Sequence, residues 1–153
     1  MAYAGNNHPR SLIRKAFYDS LFNQITGIGE KVFIGHTYGF DKDNCPLIFI
    51  DLQNSTSDLV TNCAGLRQYQ RSLSVSTAIA VSAGTELEAI DLAENYSRQV
   101  ENLIASPGAL IDDLSFINQV ILTGITKEQE IQGTCLVVIT LEFTIDYNDQ
   151  FIP

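Results

Sequence analysis

The chain has 153 residues, of which 45% are hydrophobic and 18% are charged, and its net charge is −9. This length predicts a single domain with a buried core, and the composition excludes a disordered chain. Such an acidic chain is not expected to bind nucleic acid tightly, because that binding depends on Lys and Arg side chains that displace counterions from phosphates. No apolar run approaches the ~20 residues of a membrane span, so we expect a soluble protein made in the cytoplasm.

The charge is unevenly distributed along the chain. Residues 1–71 carry a net charge of +1, whereas residues 72–153 carry −10. Two surfaces of opposite character on one chain favour a contact between different patches of neighbouring copies.

The first predicted element is an amphipathic helix that begins after Ser11, its expected N-cap. Apolar residues recur at every fourth position, and Gly27 follows where a helix commonly ends. The residues of this apolar stripe are Ile13, Phe17, Leu21 and Ile25.

Two strands and a loop are predicted next. Residues 31–36 form a short strand, and residues 46–52 form a strand that is apolar on both faces and therefore belongs inside a sheet. The polar residues 53–65 are predicted to form a long loop, and loops of this length are commonly functional. Asn54, Asp58 and Asn62 in this loop are candidates for contacting a partner.

Residues 66–83 predict a long strand, in which bulky and small side chains alternate from Ser72 onward. Its odd positions from Leu73 to Val81 are mostly bulky, whereas its even positions from Ser72 to Ser82 are all Ser or Ala. The bulky face is expected to pack against helices. The small face then meets water or another subunit.

A second helix is predicted after Thr85, which forms a capping box pattern with Glu88. Two more strands follow, at residues 116–125 and 134–147, with a turn at residues 126–133. The last strand is apolar at every odd position from Cys135 to Tyr147.

These elements predict an α+β domain in the order α-β-β-β-α-β-β. We expect a single mixed, mainly antiparallel sheet of about five strands with two helices packed on one face. The domain spans residues 1–153, with a core at about 11–147 and short flexible tails at both ends.

Residues that could perform chemistry are few. His36 to Cys45 contains His, Asp and Cys side chains within ten residues, but an exposed turn is the simpler interpretation. The Asp41-Lys42-Asp43-Asn44 segment fails as a calcium loop, because Cys45 and Pro46 stand where a ligand and a glycine are needed. The sequence therefore predicts no catalytic residues, no metal and no cofactor, and a protein that is not an enzyme.

The whole pattern resembles the tail terminator family of long-tailed bacteriophages. The resemblance is carried by IRKAFYDSLFNQI, CPLIFIDL, RQYQRSLSVSTAIAV, the acidic helix TELEAIDLAENYSRQVENLI and the pair INQVILTGI and TCLVVITLEFTIDY. In that family the strand after the loop tends to read R-x-L-x-L-x-V-x-V. The last strand tends to end in aromatic-x-x-x-Tyr or a similar pattern, which Phe143 and Tyr147 resemble. The resemblance covers about residues 11–147.

The resemblance implies a structural virion protein that forms a ring, usually a hexamer. Such a ring caps the tail tube, ends tail polymerisation and provides the surface that docks onto the head. The implied partners are other copies of the chain, the tail tube protein and a neck or connector protein, with DNA passing nearby without tight binding. The implied location is the head-proximal end of the tail, after assembly in the host cytoplasm.

Candidate residues for the subunit interface follow from the charge distribution and the small strand face. They are Arg67, Arg71, Ser72, Ser74, Ser76 and Glu142. The two arginines are expected to meet acidic residues of a neighbouring copy, and the small residues suit close packing or a smooth channel wall.

Two alternative functions remain open. Another ring protein of the head–tail junction, such as a neck or head-completion protein, fits the same pattern. A regulatory domain that binds a small ligand is also possible in this fold, but Gly84 is the single glycine at a strand–helix junction, and the helix there is already capped by Thr85.

Overall fold

A computed structural model describes residues 8–35, 45–63, 66–106, 108–132 and 134–151. In chain order, the elements are α1 (Pro9–Leu21), β1 (Val32–Ile34), β2 (Leu47–Cys63), β3 (Leu66–Ala83), α2 (Glu86–Ala105), β4 (Ile117–Gln132) and β5 (Thr134–Phe151). The predicted order of elements is confirmed, and β3 has the predicted boundaries.

The strands form one sheet in the order β1-β2-β3-β5-β4. Only β1 and β2 are parallel, and each of the other neighbouring pairs is antiparallel. The molecule is thus an α+β domain with a mixed, mainly antiparallel sheet of five strands, as predicted.

Both helices pack on one face of the sheet, which we call the covered face. The rings of Phe17 in α1 and Phe143 in β5 meet edge to face, with centroids 5.8 Å apart. Val100 in α2 and Val75 in β3 belong to the same buried cluster. The bulky odd positions of β3 and β5 therefore lie under the helices. We call the opposite face of the sheet the second face.

The predicted loop at residues 53–65 is wrong up to Cys63, because β2 continues to that residue and pairs with β3 to form a long hairpin arm; residues 64–65 lie outside the described residues. Asp58 pairs with Gln70, and Asn62 pairs with Arg67. Residues 55–59 are exposed on both faces of this arm, so the sequence there has no apolar alternation to indicate a strand. Residues 55–59 are held in a strand by their backbone pairing with β3.

The predicted start of α1 at Ser11 is also wrong. His8 is the N-cap, and its Nδ1 accepts a hydrogen bond of 3.2 Å from the Arg10 backbone N–H. Pro9 occupies the first helical position, where the missing N–H has no cost. In α2 the predicted cap is confirmed, since Thr85 Oγ1 accepts from the Glu88 N–H at 3.3 Å.

The second hairpin is longer than predicted. The expected turn at residues 126–133 is wrong up to Gln132, because β4 continues to that residue in register with β5. The helices and strands extend beyond residues 11–147, since α1 begins at Pro9 and β5 reaches Phe151. In the described part of the chain, neither helix is long and apolar enough to cross a membrane.

Candidate interaction surface

The second face has an apolar end and a polar end. At the apolar end a small buried cluster is formed by side chains of β2, β3 and β5, namely Leu47, Ala78, Ala80, Leu136 and Val138. Phe49 packs against this cluster, and its ring lies 5.6 Å from the ring of Phe33 in β1. The small residues of β3 are thus partly buried between larger neighbours, rather than wholly exposed to water.

The polar end is acidic. The strand register places the carboxylates of Asp51, Asp58, Glu142 and Asp146 at this end, and Glu128 on the same face beside Val138 of the apolar end. Among the described side chains of β2 to β5, neither a Lys nor an Arg lies on the second face; Arg71 and Lys127 point to the covered side. A surface with this charge attracts cations and repels phosphates.

A groove of about 200 Å³ runs along β3 where the two ends meet. Ser76 and Ala78 form its floor, because small side chains leave space between the longer residues of the neighbouring strands. Its walls are Phe49, Asp51 and Gln53 from β2 and Thr140 and Glu142 from β5.

Two acidic residues flank the floor of the groove directly. Asp51 and Glu142 are the register partners of Ser76 on either side. Two strand spacings of about 4.8 Å put their Cα atoms about 10 Å apart. On the other side of Glu142, its register partner in β4 is Gly124. If residue 124 had a Cβ, that atom would lie 3.5 Å from Glu142 Oε2. The carboxylate of Glu142 therefore lies over the backbone of Gly124.

The acidic side chains of the second face differ in their partners. Asp146 is well satisfied, because Ser72 Oγ donates to its Oδ1 at 2.5 Å and Gln119 Nε2 donates to its Oδ2 at 2.6 Å. The side chains of Asp51 and Glu142 form no hydrogen bond or ion pair within the described part of the chain. These two carboxylates are available to a ligand or partner.

Ser76 is 8% exposed, and its buried hydroxyl has no hydrogen-bond partner among the described residues. A buried hydroxyl without a partner is uncommon and costs free energy. Thr77, the next residue, has the same deficiency on the covered face. Ser76 lines the groove floor, between Asp51 and Glu142, and its oxygen is enclosed there.

Arg71 lies on the side of the sheet away from the groove. Its Nε donates to Asp149 Oδ2 at 2.8 Å, one of its terminal nitrogens donates to Ser57 Oγ at 2.6 Å, and its guanidinium lies 4.9 Å from the centroid of the Tyr69 ring. The expectation that Arg71 meets the acids of a neighbouring copy is therefore not favoured, because the guanidinium already has an acidic partner in its own chain.

The other predicted interface residues divide into two groups. Ser72, Ser74, Ser76 and Glu142 share the second face, and Ser76 pairs directly with Glu142. Asp58 lies on the same face of the hairpin arm, not in a loop. Arg67, Asn54 and Asn62 lie in the strands, but their side chains are outside the described part of the structure. Sequence reasoning missed Phe49, Asp51 and Thr140.

One signal in the sequence could have indicated Asp51. It is the first charged residue after the apolar run Leu47–Ile50, in a strand that was expected to be internal. A carboxylate on an internal strand needs a polar environment or a partner.

The sheet also has two open edges. Within the described residues, no strand pairs with the outer edge of β4, which extends from Ile117 to Gln132. Ile121 and Ile125 on this edge strand are 44% and 63% exposed. On the opposite edge, β1 pairs with only Ile48 to Ile50 of β2, so the outer edge of the hairpin arm has no described partner strand.

No group of three or more His, Cys, Asp or Glu side chains in the described ranges is placed to hold a metal ion. The segment considered for a metal site, residues 36–44, lies outside those ranges. Comparisons with known proteins add no relatives: no protein-family model matches the chain, and no curated protein matches it.

Proposed function

We propose that this chain is a structural subunit of a phage tail terminator, a ring that caps the tail tube, ends its polymerisation and provides the surface for docking onto the head. The resemblance of the sequence to that family suggested this function. The observation that supports it best is the pair of dissimilar open edges on one sheet.

Open strand edges can extend a sheet into a neighbouring molecule. The strand order makes β4 run antiparallel to β5, β5 antiparallel to β3, and β3 antiparallel to β2. The β4 edge of one copy can therefore meet the β2 arm of the next copy in antiparallel orientation. A contact between two different patches is heterologous, and repeating it gives a ring when the rotation from one copy to the next divides a full turn.

The acidic second face suits the same function. A channel wall whose described strand side chains include acids and no cations would repel DNA phosphates and keep passing DNA from adhering. In this arrangement the +1 half of the chain supplies the arm of the interface, and the −10 half supplies β4 and β5.

The experiment that tests this function is a measurement of native mass and tube binding. We expect native mass spectrometry to show a closed oligomer, a hexamer of the 16.9 kDa chain, alone or when tail tube protein is added. Electron microscopy with a labelled chain should place it at one end of each tube. Binding to filled heads but not to tubes would assign the chain to the neck instead, and a monomer that binds neither would overturn the proposal.

A further inference from the structure

We propose that the groove between Asp51 and Glu142 is a binding site for an arginine side chain of a protein partner. This inference does not depend on the ring, since the groove is formed within one chain. It commits to a basic polypeptide segment as the occupant of the second face.

The first argument is charge complementarity. Asp51 and Glu142 flank the same register position of β3, and neither has a partner within the described residues, whereas Asp146 on the same face is held by Ser72 and Gln119. Two open carboxylates, with no Lys or Arg among the described side chains on this face of β2 to β5, favour a ligand that brings positive charge.

The second argument is the hydroxyl of Ser76. This side chain is more than nine-tenths buried, lines the groove and has no hydrogen-bond partner among the described residues. Its oxygen is enclosed in this structure, and rotation about the Cα–Cβ bond would let it accept a hydrogen bond from a donor in the groove. A ligand with several N–H donors would therefore suit this oxygen as well as the two carboxylates.

The shape of the groove selects among cations. About 200 Å³ is less than the usual volume of a pocket for a drug-sized ligand, and it suits one long side chain. One wall is the ring of Phe49, two residues from Asp51 on the same strand face. A guanidinium presents five N–H donors in a planar fork and stacks on aromatic rings, so it fits two separated carboxylates better than an ammonium.

The test is an NMR titration of the full chain with the peptide acetyl-Arg-Arg-Arg-amide. The matched probes are the citrulline peptide, which keeps the shape but lacks the charge, the lysine peptide, and spermidine. We expect amide shifts centred on Ser76 and Glu142 with the arginine peptide, weaker binding of the lysine peptide and no binding of the citrulline peptide.

Variants separate the groove from the general acidity of the face. Asp51→Asn and Glu142→Gln should each weaken binding of the arginine peptide about tenfold, since each removes a charge-assisted hydrogen bond. Glu128→Gln makes the same change in charge on the same face, outside the groove, and should alter affinity less than about twofold. Circular dichroism confirms that each variant is folded.

Three results would overturn the site. They are equal loss of affinity in Glu128→Gln and Glu142→Gln, equal binding of the citrulline peptide, and tighter binding of spermidine than of the arginine peptide. If the chain forms rings but does not bind the arginine peptide, the arginine site is wrong and the proposed function is unaffected. If it binds the peptide but remains monomeric, the proposed ring function is wrong and the arginine site is unaffected.

Discussion

Arg71 and Asp149 form an ion pair across two strands, with Nε and Oδ2 2.8 Å apart, although 78 residues separate them in the sequence. The side chains are 25% and 9% exposed, so the pair is largely shielded from water. It joins the hairpin arm of β3 to the end of β5, the region that the sequence had suggested was a tail.

We expect Asp149→Ala and Arg71→Ala each to lower the free energy of unfolding by about 2 kcal/mol, because each leaves a largely buried charged group without its partner. The double variant should lose less free energy of unfolding than the two single variants lose in sum. Urea denaturation of all four proteins measures this coupling. Additive losses would show that the pair does not contribute to stability.

Thr77→Val should raise the free energy of unfolding by about 1 kcal/mol. The hydroxyl of Thr77 is fully buried on the covered face without a hydrogen-bond partner, and valine has nearly the same shape without the polar atom. Thr144→Val is the matched control, because Thr144 Oγ1 and Thr123 Oγ1 are hydrogen-bonded at 3.2 Å. Loss of this hydrogen bond should lower the free energy of unfolding of the Thr144→Val variant. Thermal unfolding compares the two, and a stability loss in Thr77→Val would contradict this account.

Ile125→Lys should abolish or weaken association between copies without unfolding the chain. Ile125 is 63% exposed on the β4 edge strand, and a lysine on an edge strand disfavours pairing with another strand. Leu87→Lys is the control, since Leu87 is 70% exposed and lies in the helix α2, whose backbone cannot pair with a strand of another copy. Light scattering across a range of concentrations reports the mass, and equal effects of the two variants would argue against β4 as the contact.

Thr85→Ala should destabilise the chain by about 1 kcal/mol, since it removes the side-chain oxygen that caps α2. Thr85→Ser keeps that oxygen and should remain close to the parent protein. Helical circular dichroism during urea unfolding distinguishes them. An alanine variant as stable as the serine variant would mean that the cap contributes nothing.

Gly27→Ala should destabilise more than Gly29→Ala. Both glycines have positive φ, +98° and +58°, which alone costs an alanine about 1–2 kcal/mol. At Gly27 the added Cβ would also collide with the hydroxyl of Tyr96, whereas at Gly29 it would meet nothing within 4 Å. Tyr96→Phe should recover part of the loss in Gly27→Ala, and denaturant midpoints of the three variants test this. Equal losses at the two glycines would contradict the predicted contact.

The order of the elements, the limits of β3 and the cap of α2 could be predicted from the amino-acid sequence. These are local properties: alternation of bulky and small residues sets the faces of a strand, and Thr85 needs only its own helix to act as a cap. The division of β3 into a face for helices and a face of small residues was predictable for the same reason.

The extent of the hairpin arm, the partner of Arg71 and the groove around Ser76 became visible with the packing of the strands. Residues 55–59 are exposed on both faces, so their pairing with β3 leaves no periodic trace in the sequence. Arg71 finds its acid 78 positions away, and the groove joins side chains of three strands that only the register aligns. Such contacts depend on how strands are ordered in the sheet, and that order is a property of the whole chain.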